Sequence, residues 1–260
     1  MKKILCLFSA LALVLTSCSS DDSSSDAGSA TLLPTKIVET SVENGKSGSL
    51  TYTATYDGNK IKEIKVSDAS RSVFTYTGDL ITKVELYYSS ELQSTDVYAY
   101  ENGKLISKIT TKAFGSSPQQ KLTFVYNANG TVNANQSQIE DKVETKFDTT
   151  TLYTFANGNM ISSEFIDGER EKITSTFDDK KSPFVNVTGL KLLLDLDNHL
   201  EFDFYSANNN VKSVTETYNA EGKLVQTATV ATTNKYNKSN FLTEAFVGDA
   251  TDSYKIEVTY

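Results

Sequence analysis

Tyr100-Glu101-Asn102-Gly103-Lys104-Leu105-Ile106-Ser107-Lys108-Ile109 is the stretch that decides the fold. An aromatic residue ends one strand, Asn-Gly reverses the chain, and a Lys-Leu-Ile start launches the next strand. Asn and Gly supply the positive φ that a short hairpin turn needs. Related units stand at Tyr56-Asp57-Gly58, Tyr76-Thr77-Gly78, Tyr126 to Gly130, Phe155 to Gly158 and Tyr218 to Gly222. From Tyr56 through Tyr76, Tyr100, Tyr126 and Phe155 to Phe177 the aromatic-to-aromatic steps are about 20–29 residues, room for one hairpin each. The expected fold class is therefore all-β: an antiparallel meander of repeated β-hairpins, curved into an open sheet or half-barrel.

Aligning the units on Gly puts Ile61, Ile81, Ile106, Ile161 and Val225 three positions later, and Lys60, Leu80, Leu105, Met160 and Leu224 two positions later. Position +6 holds Ile64, Val84, Ile109, Glu164 and Ala228. Strand residues alternate faces, so +2, +6 and +8 share one face and +3 falls on the other. Either both faces are partly covered there or a bulge intervenes. Upstream of the turns, Phe74 and Tyr76, Tyr98 and Tyr100, Phe124 and Tyr126, and Tyr153 and Phe155 alternate. Each pair places two rings on one face, where cross-strand aromatic contacts of about 0.2–1 kcal/mol each hold neighbouring hairpins in register.

The repeat breaks after Phe177. Asp178-Asp179-Lys180-Lys181-Ser182-Pro183-Phe184 makes a polar turn, and Val185 to Leu194 is the most apolar run of the domain. One short helical insert is expected near residues 188–195, followed by strand. The repeat resumes at Asn208-Asn209-Asn210, and Tyr254 to Tyr260 reads as the last strand. Edge strands are a liability, so the insert or a partner is expected to cover one.

The units resemble YD-type repeats, the Tyr-Asp/Asn-x-Gly hairpins of Rhs-like proteins, and more closely small Bacteroidetes lipoproteins of unknown function that use the same unit. The resemblance covers roughly residues 50–260. Rhs shells close around a toxin with many more units than this chain holds, so that function is not implied here.

At the N-terminus Lys2 and Lys3 precede an apolar stretch, Ile4 to Leu15, too short to span a bilayer as a helix. Leu15-Thr16-Ser17-Cys18 resembles the bacterial lipobox, which implies cleavage before Cys18 and lipidation of its side chain. The expected organisation is a signal peptide over 1–17, a disordered Ser/Asp tether over 18–33 and a β-hairpin repeat domain over 34–260. The tether, Ser19 to Ala30, is too polar to bury a core. Its acidic run resembles the surface-export signal of Bacteroidetes lipoproteins, or is a plain solvated spacer. The location implied is the outer membrane, with the domain on the cell surface or on the periplasmic face. Cys6 leaves with the signal peptide, so no cysteine pair remains for a disulfide or a thiolate zinc site.

The formal net charge is -8, which repels phosphate backbones and makes nucleic acid an unfavourable partner. Trp is absent and Pro occurs three times, a composition suited to wet sheet faces. The only histidine is His199, in the alternating set Asp195, Asp197, His199, Glu201. Asp195, Asp197 and Glu201 are candidate ligands for a hard cation such as calcium, with His199 an alternative base; equally, they are the solvated face of an amphipathic strand. The run departs from the EF-hand, which needs Gly at its sixth position. No Gly-x-Ser-x-Gly elbow, phosphate loop or His-Glu-x-x-His motif occurs, and no cofactor is implied. Tyr87, Tyr88, Tyr98 and Tyr205 are either platforms for a sugar or protein ligand or cross-strand packing residues.

The functional expectation is a lipid-anchored envelope protein, held to the membrane through Cys18, with a non-enzymatic binding or scaffold role through an aromatic sheet face that takes a protein or glycan. The alternatives are a carbohydrate-active hydrolase, which needs two carboxylates about 5–10 Å apart in a cleft, and a calcium-stabilised surface module.

Overall fold

The computed structural model describes residues 31–66, 69–115, 117–167, 169–194, 206–249 and 251–260. They form seventeen strands: β1 (Lys36–Glu43), β2 (Lys46–Asp57), β3 (Lys60–Val66), β4 (Ser70–Thr77), β5 (Leu80–Tyr88), β6 (Glu91–Glu101), β7 (Lys104–Lys112), β8 (Gln119–Tyr126), β9 (Val132–Glu140), β10 (Val143–Ala156), β11 (Asn159–Asp167), β12 (Glu169–Phe177), β13 (Asn210–Tyr218), β14 (Leu224–Ala231), β15 (Thr233–Tyr236), β16 (Leu242–Gly248) and β17 (Ser253–Thr259). Between β12 and β13 lies an insert whose described part holds one 3₁₀ turn, Leu190–Leu192.

Each strand pairs antiparallel with the next from β1 to β14, and β15 to β17 continue the meander. The sheet curls further than the open sheet or half-barrel expected. β17 returns to pair with β1, from Lys36 opposite Thr259 to Val42 opposite Ser253, and makes a nearly closed barrel. The edge strands that the insert or a partner was expected to cover are thus mostly removed by closure, the strongest remedy for a free edge. One seam remains. β14 and β15 are a continuous run interrupted only at Thr232. β14 pairs with β13, whereas β15 pairs with β16, a pairing that ends with Thr233 opposite Phe246. Among the described residues, β14 therefore has a partner on one side alone, and its residues are exposed throughout.

The hairpins obey the turn chemistry read in the sequence. Asn102 and Gly103 both take positive φ, 51° and 74°, between the paired Glu101 and Lys104. In the first two units the turn is Gly58-Asn59 and Gly78-Asp79, with Gly leading. Aligning on Gly consequently slips those units by one residue: the equivalent of Leu105 is Ile61 or Ile81, and each of these three pairs with its unit's aromatic, Tyr100, Tyr56 or Tyr76. A bulge follows at once in five units, skipping Lys62, Thr82, Ile106, Ile161 and Val225, whereas the Tyr126 unit pairs without one. The bulge resolves the face conflict. Ile61 and Ile64, three apart, are both buried, as are Ile81 and Val84.

The inward face carries Ile37, Tyr52, Ile61, Ile64, Ile81, Val84, Tyr98, Leu105, Phe124, Val132 and Ala134, and the insert contributes Phe184, Val187, Leu190, Leu193 and Leu194 to the same cluster. The insert spans one mouth of the ring. Thr188 N–H donates to the Asn59 carbonyl, Asn186 donates to the Leu32 carbonyl, Ala207 N–H donates to the Gly158 carbonyl, and Lys181 bridges to Phe241. Those anchors lie on widely separated turns. Gly189 sits so close to the β4–β5 turn that a Cβ would stand 2.7 Å from the Asp79 carbonyl oxygen, and its φ is +78°.

Phenol hydroxyls also link the units. The phenol of one unit reaches the backbone of the unit before it: Tyr100 donates to the Ile81 carbonyl at 2.7 Å, and Tyr126 to the Leu105 carbonyl at 3.0 Å. Tyr56 and Tyr260 do the same to Pro34 and Leu242. Tyr76 accepts from Ile61 N–H and donates to the Thr188 carbonyl, tying the wall to the insert.

Two predictions follow from this packing. Burial pushes the phenols of Tyr56, Tyr126 and Tyr260 up and that of Tyr76 to about 12. A folded value above the unfolded one, about 10, means that the neutral phenol stabilises the fold fully below pH 10 and that this stability is lost as pH rises through the folded values. Circular dichroism should report cooperative unfolding between about pH 10 and 12, with phenolate absorbance appearing in the same transition; smooth phenol titration of an intact fold would contradict it. Gly189→Ala should cost roughly 1–3 kcal/mol from the left-handed backbone, a fall of about 2–12 °C in melting temperature, read by calorimetry.

Candidate functional site

The candidate site lies inside the barrel, where the insert forms a floor beneath β13 to β17. A cavity of about 310 Å³ is lined there by Ser182, Pro183 and Phe184 of the insert, by Asn208, Asn209, Asn210 and Ser213 at the start of β13, and by Thr232, Asn234, Leu242, Ala245, Val247, Tyr254 and Ile256. None of these residues is charged. Thr232 is also the residue at which the seam begins.

A hydrogen-bond network from the insert positions the asparagines. Asp178 accepts from the Asn209 backbone N–H at 3.1 Å, from Asn209 Nδ2 at 3.2 Å, from the Lys180 N–H at 2.9 Å and from the Tyr236 hydroxyl. Burial first, then Asp178, pushes the Tyr236 phenol up to about 12. Asn208 and Asn159 exchange two bonds of 3.0 Å, which pin the insert's return to β11. Asn210 Nδ2 donates to Ser175 and Ser213, and Asn234 Nδ2 donates to the Asn210 carbonyl. The amide nitrogens are thus engaged. The three carbonyl oxygens, Oδ1 of Asn209, Asn210 and Asn234, are buried and have no protein donor. Each such acceptor costs about 1–3 kcal/mol unless something donates to it.

The rest of the inward face turns polar away from the insert. Glu39 accepts from the Tyr52 hydroxyl at 2.8 Å, and Asp96 from Thr110 at 2.6 Å; Glu39, Asp96 and Lys108 are all buried. The outward face is charged. Ion pairs join Glu63 to Lys65 and Arg71, Lys83 to Glu85, Lys121 to Glu144, Lys235 to Glu244 and Lys255 to Glu257. A larger open concavity, about 790 Å³, lies against the outward side of β10 to β12 and includes Leu152, Thr154, Glu164 and Lys172. Glu164 is engaged there by Arg170 at 3.3 Å.

The sequence candidates fare unevenly. Tyr98 is buried in the core rather than presented as a platform. Tyr87 lies under the Arg71 guanidinium, 4.2 Å from the ring centre, whereas Tyr88 is exposed. Cys18, Asp195, Asp197, His199, Glu201 and Tyr205 lie outside the described residues. Sequence reading missed Asn209, Asn210 and Asn234. For Asn209 and Asn210 the available signal was the triple Asn where the other units carry one to three turn residues and a Gly.

No protein-family model matches this sequence, and no curated protein matches it. Among solved structures the chain is similar to the crystal structure of a porin-like protein from Bacteroides uniformis ATCC 8492. The TM-score is 0.52 at 10% sequence identity, over 87% of this chain and 96% of that one. At that identity the likeness is one of fold: a large antiparallel barrel.

Asp178 carries the site's scaffold. Asp178→Ala removes charge-assisted bonds worth about 1.5–3 kcal/mol each before compensation. Calorimetry should show a loss of at least about 3 kcal/mol, a fall of roughly 6–12 °C in melting temperature, with Asp178→Asn losing less.

Proposed function

We propose that this chain is a non-enzymatic, lipid-anchored protein of the bacterial outer-membrane envelope that binds a small ligand inside its barrel. The observation that carries this reading is the polarity of the wall. Its buried apolar side chains point inward onto the insert, and Lys65, Lys83, Lys121, Lys235 and Lys255 stand outward in ion pairs, among scattered exposed apolar residues such as Val97 and Val125. A barrel that crosses lipid needs the reverse, because a Lys facing the bilayer midplane costs about 2–4 kcal/mol. The fold is shared with a porin-like protein, but this wall suits water on the outside and packing within. The insert across one mouth further disfavours a conducting pore.

Membrane attachment then falls to Cys18, whose acyl chains contribute about 0.8 kcal/mol per buried CH₂ and hold stably when two or more are present. The hydrolase reading needs paired carboxylates at the site, and the described residues of the lumenal pocket offer neutral amides instead.

Two measurements test this. The chain from Thr31 onward should be soluble and monodisperse without detergent and should give no channel steps in a planar lipid bilayer. Spontaneous insertion with conductance would overturn the binding reading in favour of a pore. In cells, Cys18→Ser should abolish incorporation of labelled fatty acid and release the protein from the membrane pellet. Unchanged labelling would disprove the anchor.

A further inference from the structure

We infer that β14 is the edge through which two copies of this chain pair, strand against strand, in one continuous antiparallel sheet. The register at the seam leaves a length of strand uncovered. β15 meets β16 from Tyr236 opposite Leu242 to Thr233 opposite Phe246, and β16 stops at Gly248 to turn into β17. Carried on, that register puts Ala231 level with Gly248. Leu224 to Val230 thus run on past the end of β16, with β13 on one side and, among the described residues, no strand on the other. Thr232 N–H donates to the Val211 carbonyl on β13. Backbone groups alternate sides along an antiparallel ladder, so the N–H and C=O of Thr227 and Thr229 point to the open side.

Free edges are normally defended by Lys, by Pro or by a bulge that turns the strand away. β14 lacks these defences where it is uncovered. It reads Leu224-Val225-Gln226-Thr227-Ala228-Thr229-Val230-Ala231, and of the seventeen strands it alone carries no charged residue. Its bulge sits at Val225, near one end, and leaves Gln226 to Ala231 in unbroken register. Leu224, Val225 and Val230 are exposed large apolar residues. A neutral, β-prone edge of this kind pairs with whatever strand matches it.

Charge and symmetry select a second β14 as the match. The chain carries a net charge of -8, so two copies repel in general, and β14 is the strand along which they meet without like charges in register. A two-fold axis between Gln226 and Val230 sets Thr227 and Thr229 of one copy opposite Thr227 or Thr229 of the other, and Thr–Thr is a favourable cross-strand pair. The antiparallel sense also carries Lys223, at the tip of one β13–β14 hairpin, toward the β16–β17 turn of the other copy, where Asp249 and Asp252 are exposed. Glu221 at the same tip is engaged by Asn219 at 2.6 Å. Recognition of a foreign peptide at an edge relies on pockets for its alternate side chains, whereas a self-pair needs only the ladder and the matching Thr residues. A contact of this kind is isologous and closes on itself, so the open edge is used up at the dimer instead of seeding a fibre. The inference is independent of the lumenal pocket.

The test uses the chain from Thr31 onward, which contains every described residue. Sedimentation equilibrium should give twice the chain mass and no larger species. In that dimer the Thr227 and Thr229 amides should exchange slowly with deuterium, and faster as dilution releases monomer. The double variant Thr227→Lys, Thr229→Lys sets like charges against each other across the two-fold and should weaken the dimer roughly tenfold or more. Thr227→Glu, Thr229→Glu should do the same, and an equal mixture of the two variants should restore a dimer. Circular dichroism confirms that each variant is folded; where one is not, exchange in the parent decides. A monomer at every concentration, with both amides exchanging freely, would overturn the second copy as the occupant. A monomer with both amides protected would show the edge covered within one chain and overturn the open edge itself. A dimer untouched by the charge changes, or a mixture that stays monomeric, would overturn β14 as the interface.

Discussion

A ring of this many strands encloses more space than its own inward side chains can fill. Small barrels of about eight strands pack their interiors with wall residues alone, whereas rings of sixteen or more leave a channel. Here the meander makes such a large ring, yet Ile61, Ile81 and Leu105 are fully buried. The missing volume comes from the insert. Phe184, Val187, Leu190, Leu193 and Leu194 enter from one mouth and turn a lumen into a core. The wall's apolar face, the fixed Gly189 and the Tyr76 bond to Thr188 all make sense only with that filling in place. The filling is also one-sided, so beyond it the lumen becomes polar and retains a pocket.

The wall achieves its curvature by repetition of a small device. Most units place an aromatic opposite an apolar partner, then spend one residue in a bulge. Bulges bend a strand and increase its twist, and repeated at one level around the sheet they turn a meander toward closure. The same bulge moves the next apolar residue back to the inward face, which is why Ile61 and Ile64 are both buried at a spacing of three. The tyrosine hydroxyls lock successive units at the same level. Ring burial and a phenol bond to the preceding backbone thus act on one side chain, and that coupling explains the preference for Tyr over Phe at Tyr56, Tyr76, Tyr100 and Tyr126.

Much of this is local and therefore legible in the sequence. The turn at Asn102-Gly103, the hairpin repeat, the aromatic alternation and the short helical insert near 188–195 all depend on neighbours within a few residues. The alternative of a bulge after the turn was also readable from the conflict between Ile61 and Ile64. Closure was not, because the partner of β1 lies at the far end of the chain and depends on the summed twist of every strand between. The turn register misled for a simple reason: Gly leads in Gly58-Asn59 and follows in Asn102-Gly103, so one letter marks two different turn positions. The site was illegible because the bonds that fix it join residues far apart in the chain. Nothing in Asn209, Asn210 or Asn234 as letters says that their nitrogens are occupied and their oxygens are not.

The pairing of β1 with β17 also carries a kinetic consequence. Thr35 meets Thr259 across 224 residues, so the first strand waits for the last before its second edge is satisfied. The hairpins form from local contacts and need no such wait. The entropy of closing so long a loop grows only slowly with length, but non-local strand pairing is slow compared with hairpin formation. Until it completes, the growing chain is a curved ribbon with two sticky borders, the kind of intermediate that aggregates. A chain released before its final seven-residue strand would stay in that state, with the N-terminal strand half paired.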